Sequence, residues 1–143
     1  MSYESCALDG VFVVRWGKPQ TADVERYANE IAAARAQQGK PLVGLFIMPP
    51  DSTAPDDVFR KAQANKLPEI MANLSYAVAV FEGTGFMSAV KRSALAGVLL
   101  LAPKKHSIHV RATVEEALLF RPAGPIEFNA KQTIAELKRR NLC

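Results

Sequence analysis

The chain has 143 residues, 49% of them hydrophobic, and a formal charge of +4. This is the size and make-up of one ordinary globular domain, which excludes a disordered chain and needs no metal or disulfide staples. Lys and Arg are dispersed apart from Lys104-Lys105 and Lys138-Arg139-Arg140, so no basic face for nucleic acid is expected.

Residues 2–8 and 11–16 predict a β-hairpin, because Asp9-Gly10 between them suits a type I′ turn. Gly17-Lys18-Pro19 ends the second strand, and Thr21 is expected to cap a helix with Asp23 and Glu25 in its first turn. Val24, Tyr27, Ala28, Ile31 and Ala32 recur at helical spacing, and Gly39 suits the position just past the helix end. Residues 42–48 form an apolar run that reads as a buried parallel strand, in which Gly44 permits close backbone approach. The run stops at Pro49-Pro50-Asp51-Ser52-Thr53-Ala54-Pro55-Asp56-Asp57. Ligands of open α/β sheets gather at such carboxyl ends of strands.

Val58, Phe59, Ala62, Leu67, Ile70, Met71 and Leu74 then suggest helical packing, and Pro68 predicts a kink or two short helices. Residues 76–81 read as a short buried strand and Glu82-Gly83-Thr84-Gly85 as a turn. A helix carrying Phe86, Met87, Val90, Ala94, Leu95 and Val98 follows, with its end left open by the sequence. Ile108-His109-Val110 is the last strand. Thr113-Val114-Glu115-Glu116 matches a capping box, Pro122 to Pro125 ends that helix, and Thr133-Ile134-Ala135-Glu136 reads as a second capping box before 137–142. The order predicts an α/β fold: an N-terminal β-hairpin, then alternating βα units. They would form a mixed, mostly parallel sheet of about five strands, with helices packed against it and an extra C-terminal helix.

Three stretches resemble the STAS/SpoIIAA-like family, the sulfate transporter and anti-sigma factor antagonist domain. They are Asp9-Gly10-Val11-Phe12-Val13-Val14-Arg15-Trp16-Gly17 with Thr21 opening a helix, the strand 42–48 with Asp51-Ser52 beyond it, and Ser107-Ile108-His109-Val110-Arg111-Ala112-Thr113-Val114-Glu115-Glu116-Ala117-Leu118. The likeness divides the chain into a domain at 1–121 and an extension with a short helix at 122–143. It implies a non-enzymatic bacterial signalling module in which a hydroxyl after the third strand is phosphorylated by a partner kinase. By position that is Ser52, with Thr53 as the alternative. Thr53-Ala54-Pro55-Asp56-Asp57 departs from the small residue and Leu that usually follow the phosphosite. A SpoIIAA-like subset related to lipid-binding Sec14-like domains lacks the switch.

The same loop also reads without chemistry: Ser52 or Thr53 caps a helix, Pro55 sets its first turn, and Asp56 and Asp57 complement its dipole. Glu82-Gly83-Thr84-Gly85 lacks both the third glycine of a dinucleotide fingerprint and the ending of a P-loop. His106 and His109, three apart in an extended segment, face opposite sides and make poor joint metal ligands. No G-x-S-x-G elbow occurs, and the pairs Asp56-Asp57 and Glu115-Glu116 sit in first helical turns, where the dipole accounts for them. No cofactor, metal or catalytic residue is therefore expected.

Cys6 and Cys143 lie near opposite ends without C-x-x-C spacing, which reads as two free thiols in a reducing cytoplasm, a terminus-to-terminus disulfide being the alternative. The segment Met1-Ser2-Tyr3-Glu4-Ser5-Cys6 has no basic or apolar signal pattern, and the apolar run 94–102 is far shorter than the ~20 residues that span a bilayer. The expectation is a cytoplasmic chain without stable membrane insertion. Its leading function is a signalling or scaffold module that binds a protein partner, a regulator or kinase, through the 49–60 loop and following helix. Asp51, Asp56, Asp57 and Arg60 would form the contact, and Ser52 the switch. A homodimer is left open. The alternative is a small-ligand or lipid-binding domain with an apolar pocket near Phe59, Met71, Phe86 and Met87.

Overall fold

The computed structural model describes residues 2–83, 86–101, 107–120 and 128–142, with backbone alone at 86–88 and 97–101. Its elements are β1 (Tyr3–Leu8), β2 (Val11–Trp16), α1 (Thr21–Gln38), β3 (Leu42–Met48), α2 (Asp57–Ala72), β4 (Leu74–Phe81), α3 (Phe86–Leu101), β5 (Ile108–Arg111), α4 (Val114–Leu119) and α5 (Ala130–Arg139). The strands make one five-stranded sheet in the order β1-β2-β3-β4-β5. β1 and β2 pair antiparallel, and every later pairing is parallel. The α/β architecture is the expected one, including the hairpin and the extra C-terminal helix.

Consecutive order has a physical consequence. Each crossover steps one strand in the same direction, so connections of one hand place α1, α2 and α3 on one face. Burial follows this division. Phe12, Val14 and Trp16 of β2 form one core with Tyr27 and Ile31 of α1 and Phe59 and Ile70 of α2. Val13, Leu45, Ile47, Val78 and Val80 form the opposite core with Leu118 of α4 and Leu137 of α5. The second core shows that α5 is packed onto the sheet by Leu137 and, just beyond it, by the buried Leu142.

Several local expectations are corrected. Among the described residues Gly10 has φ +75° and Asn141 is the only non-glycine with positive φ, so Asp9 is not left-handed and the hairpin turn is not type I′. Gln20, not Thr21, is the N-cap of α1. Asp23 is buried and accepts from the Gln20 backbone N–H at 2.8 Å and from Ser2 Oγ at 2.8 Å. Pro68 sits inside a single helix, α2, rather than between two. The second predicted capping box is not one. Asn129 caps α5 by accepting from the Gln132 N–H, and Thr133 lies inside the helix, its hydroxyl donating to the Asn129 carbonyl at 2.9 Å. α5 stops at Arg139, where Asn141 at φ +57° lets the Leu142 N–H reach the Leu137 carbonyl at 2.9 Å, a Schellman ending. Pro122 to Pro125, Thr84, Gly85, His106 and Cys143 lie outside the described residues; Cys6 carries a free thiol.

Candidate functional site

Side chains on one face of the sheet set the site. The register runs Phe12–Gly44–Ala77–Ile108 in one row and Val14–Phe46–Ala79–Val110 in the next. Ala77 lies between Gly44 and Ile108, and Ala79 between Phe46 and Val110, so small side chains on β4 leave space between the sheet and the helices above it. The result is a cavity of ≈ 70 Å³. Its floor is Phe46, Ala77 and Ala79, and α2 contributes Phe59, Leu67, Ile70 and Met71. Trp16, Met48 and Phe81 line the end nearest the loops; each is the last residue of its strand.

The aromatic wall is built from edge contacts. Trp16 meets Tyr27 and Phe59, each with ring centroids 5.5 Å apart and nearly perpendicular planes. Tyr27 meets Phe46 in the same way at 6.1 Å. Such pairs hold the rings in place beyond simple burial. The Tyr27 hydroxyl is satisfied by Gln63 Nε2, which donates at 3.1 Å, and burial raises its pKa, so it stays protonated.

One cation reaches this apolar space. Lys91 of α3 lines the cavity and is only 4% exposed. Its Nζ donates to the Pro49 carbonyl at 2.8 Å and the Pro50 carbonyl at 3.3 Å. Burial lowers the pKa of the ammonium from its usual value, and the nearby Asp51 charge opposes that shift. Among the described residues no carboxylate forms an ion pair with it.

The 49–56 loop closes over this arrangement. Ser52 is 6% exposed; its Oγ donates to the Pro49 carbonyl at 2.8 Å, and its N–H donates to the same oxygen at 3.0 Å. The predicted hydroxyl cap is thus a correction: Asp56 caps α2 by accepting from the Phe59 N–H at 2.8 Å, and Ser52 folds back into the loop. Thr53 is exposed, lines the cavity, and is anchored by its N–H to the Gly17 carbonyl at 2.9 Å. Pro55 precedes the helix and lines the cavity instead of opening the first turn. Asp57 pairs with Arg60 on the outer face of α2, Asp51 is exposed, and Val58 beside them is 64% exposed. Gly83, at φ +88°, lies where a Cβ would sit 3.1 Å from Pro50 Cγ, so contact between the loops explains this glycine.

Phe59 and Met71 of the predicted pocket do line the cavity, while the side chains of Phe86 and Met87 lie outside the described residues. Sequence reasoning missed Trp16, Tyr27, Phe46 and Phe81 as lining of this space. A signal was present in the bulky apolar residues that end three parallel strands. The remaining histidine candidate, His109, is on the other face against Phe120 at 4.7 Å, with its pKa lowered by burial and by Arg111. Among the described residues no group of three His, Cys, Asp or Glu side chains gathers as a metal site would require, and no helix is long and apolar enough to cross a membrane. Compared with known proteins, the chain matches no family model, no curated protein and no solved structure.

Proposed function

We propose that this protein is a non-enzymatic binding module whose ligand occupies the apolar cavity beneath the 49–56 loop. The observation that carries the reading is the cavity itself, ≈ 70 Å³ at the carboxyl ends of parallel strands and walled by aromatics. Concave, mostly apolar sites with few polar groups are the usual form of small-molecule pockets. Lining by the exposed Thr53 brings the cavity to the protein surface, where a ligand can enter. The alternative within the STAS/SpoIIAA-like resemblance, a small-ligand domain, is the form of that likeness this geometry favours.

The test uses Trp16, the single tryptophan, which lines the cavity. Titration with small apolar compounds should change its emission saturably, and Ala79→Leu, which fills the floor, should abolish the change while the fold persists by circular dichroism. Emission that responds equally in both proteins would remove the cavity as the site.

A second reading has its own observation: Val58, 64% exposed at the start of α2 among Asp56, Asp57 and Arg60, with the exposed Asp51 in the loop before it, offers an apolar contact to a protein partner. In that reading the hydroxyl a kinase can reach is Thr53, since Ser52 is buried and engaged with Pro49. Capture of a partner by the wild type but not by Val58→Asp would support it. Equal capture by both would count against it, as would equal binding by Thr53→Ala and Thr53→Asp against the switch.

A further inference from the structure

Lys91 sets the chemistry of what the cavity accepts. An ammonium removed from water is costly unless it is paired, and the pairing here is with two neutral carbonyl oxygens. An ammonium has three N–H donors, so the Pro49 and Pro50 carbonyls engage two; the Asp51 carboxylate acts on the charge from nearby, but among the described residues none forms an ion pair with it. Met48, Phe81 and Leu95 line the same space, and its other polar side chains, Tyr27, Thr53 and Gln63, are neutral. A polar neutral ligand would gain little from such a site. An anion entering it would form a charge-assisted hydrogen bond in a poorly screened setting, which is about twice as strong as a neutral one.

The geometry points to a short-chain monocarboxylate as the ligand: a small apolar body against Phe46, Ala79 and Phe59, and a carboxylate toward Lys91 Nζ. This inference rests on the cavity reading above. Size follows from volume. An engineered cavity of about 150 Å³ takes benzene, so a space of ≈ 70 Å³ suits a body of about three or four carbon atoms. Charge follows from count: a single ammonium balances one negative charge, which favours a carboxylate over a phosphate dianion. The Pro49 carbonyl also accepts from the Ser52 Oγ and N–H, so it keeps two donors if the ligand draws Lys91 Nζ away from it.

Three probes of matched shape test this by Trp16 fluorescence and calorimetry on the full chain: butanoate, 1-butanol and butylammonium. The wild type should bind butanoate about tenfold or more tightly than butanol, as expected for a hydrogen bond to a charged group, and should reject butylammonium. Lys91→Met keeps an unbranched side chain one atom shorter and removes the charge; it should lose the preference for butanoate while retaining butanol. Butanol bound as tightly as butanoate by the wild type overturns the inference and leaves the cavity reading standing. No saturable binding of any probe overturns the cavity reading, and this inference with it. A butanoate preference that survives Lys91→Met also overturns the inference, because the cation would then be another. Should Lys91→Met fail to fold, the wild-type comparison decides alone: butylammonium bound as well as butanoate rejects an anion site.

Discussion

Gly44, Glu136 and Ser52 show how single residues divide between what neighbours in sequence reveal and what folding decides. A Cβ at Gly44 would lie 2.8 Å from Leu74 Cδ1, which is buried, and 2.9 Å from Phe46 Cε2. Gly44→Ala should therefore lower stability by about 1–3 kcal/mol in urea denaturation, the usual cost of overpacking. The glycine was expected to admit a neighbouring backbone; what crowds it is instead two side chains. Glu136 accepts from Arg139 and Arg140, and these hydrogen bonds pull its pKa from 4.5 down to about 2. A carboxyl depressed in this way contributes stability that is fully present above pH 4.5 and lost as pH falls toward about 2. The difference in melting temperature between wild type and Glu136→Gln should narrow across that window, and high salt should shrink it at neutral pH. Ser52 was not legible: its burial depends on the loop turning back so that Oγ meets the Pro49 carbonyl.

Helix ends and interruptions carry the expectations at the scale of elements. Asp56 caps α2, so Asp56→Ala should cost about 1 kcal/mol, seen as a lower denaturation midpoint. Pro68 lies within α2 and donates no N–H to the helix. Pro68→Ala should raise stability by about 1 kcal/mol or more, because it restores a backbone hydrogen bond and removes a clash. The periodicity of apolar residues revealed α1, α2 and α3, but three caps fell on other residues than expected. Thr21, Ser52 or Thr53, and Thr133 are all good capping types. The actual caps are Gln20, Asp56 and Asn129, because the preceding chain direction determines which residue is extended where the helix starts.

Across the whole molecule, two cores share one sheet, and the C-terminal helix belongs to the second. Leu137 is fully buried, and Arg15 Nη1 donates to the Leu142 carbonyl at 3.3 Å and to Glu82 at 3.1 Å, tying the segment after α5 to β2 and to the end of β4. Leu137→Ala should destabilise the entire domain by about 2–5 kcal/mol in a single cooperative transition, as loss of a core leucine does. An early, separate transition for α5 would show instead that it is an appendage. The cavity also belongs to this scale. It lies between β3, β4, α2 and α3, with β2 and α1 closing one side, so any ligand it binds should raise the melting temperature of the whole domain.

Alternating apolar runs and helical stripes are local patterns, and they determined the α/β order, the hairpin and the strand 42–48 with its glycine. They did so because burial on one or both faces imposes periods of two and 3.6 on the chain itself. Only the tertiary structure decided that Ala77 and Ala79 meet Gly44 and Phe46 across the sheet and leave space there. It alone brought Lys91, 42 residues from Pro49 in sequence, onto that residue's carbonyl. Cavities and buried charges arise from which distant residues meet, and no periodicity along the chain records that.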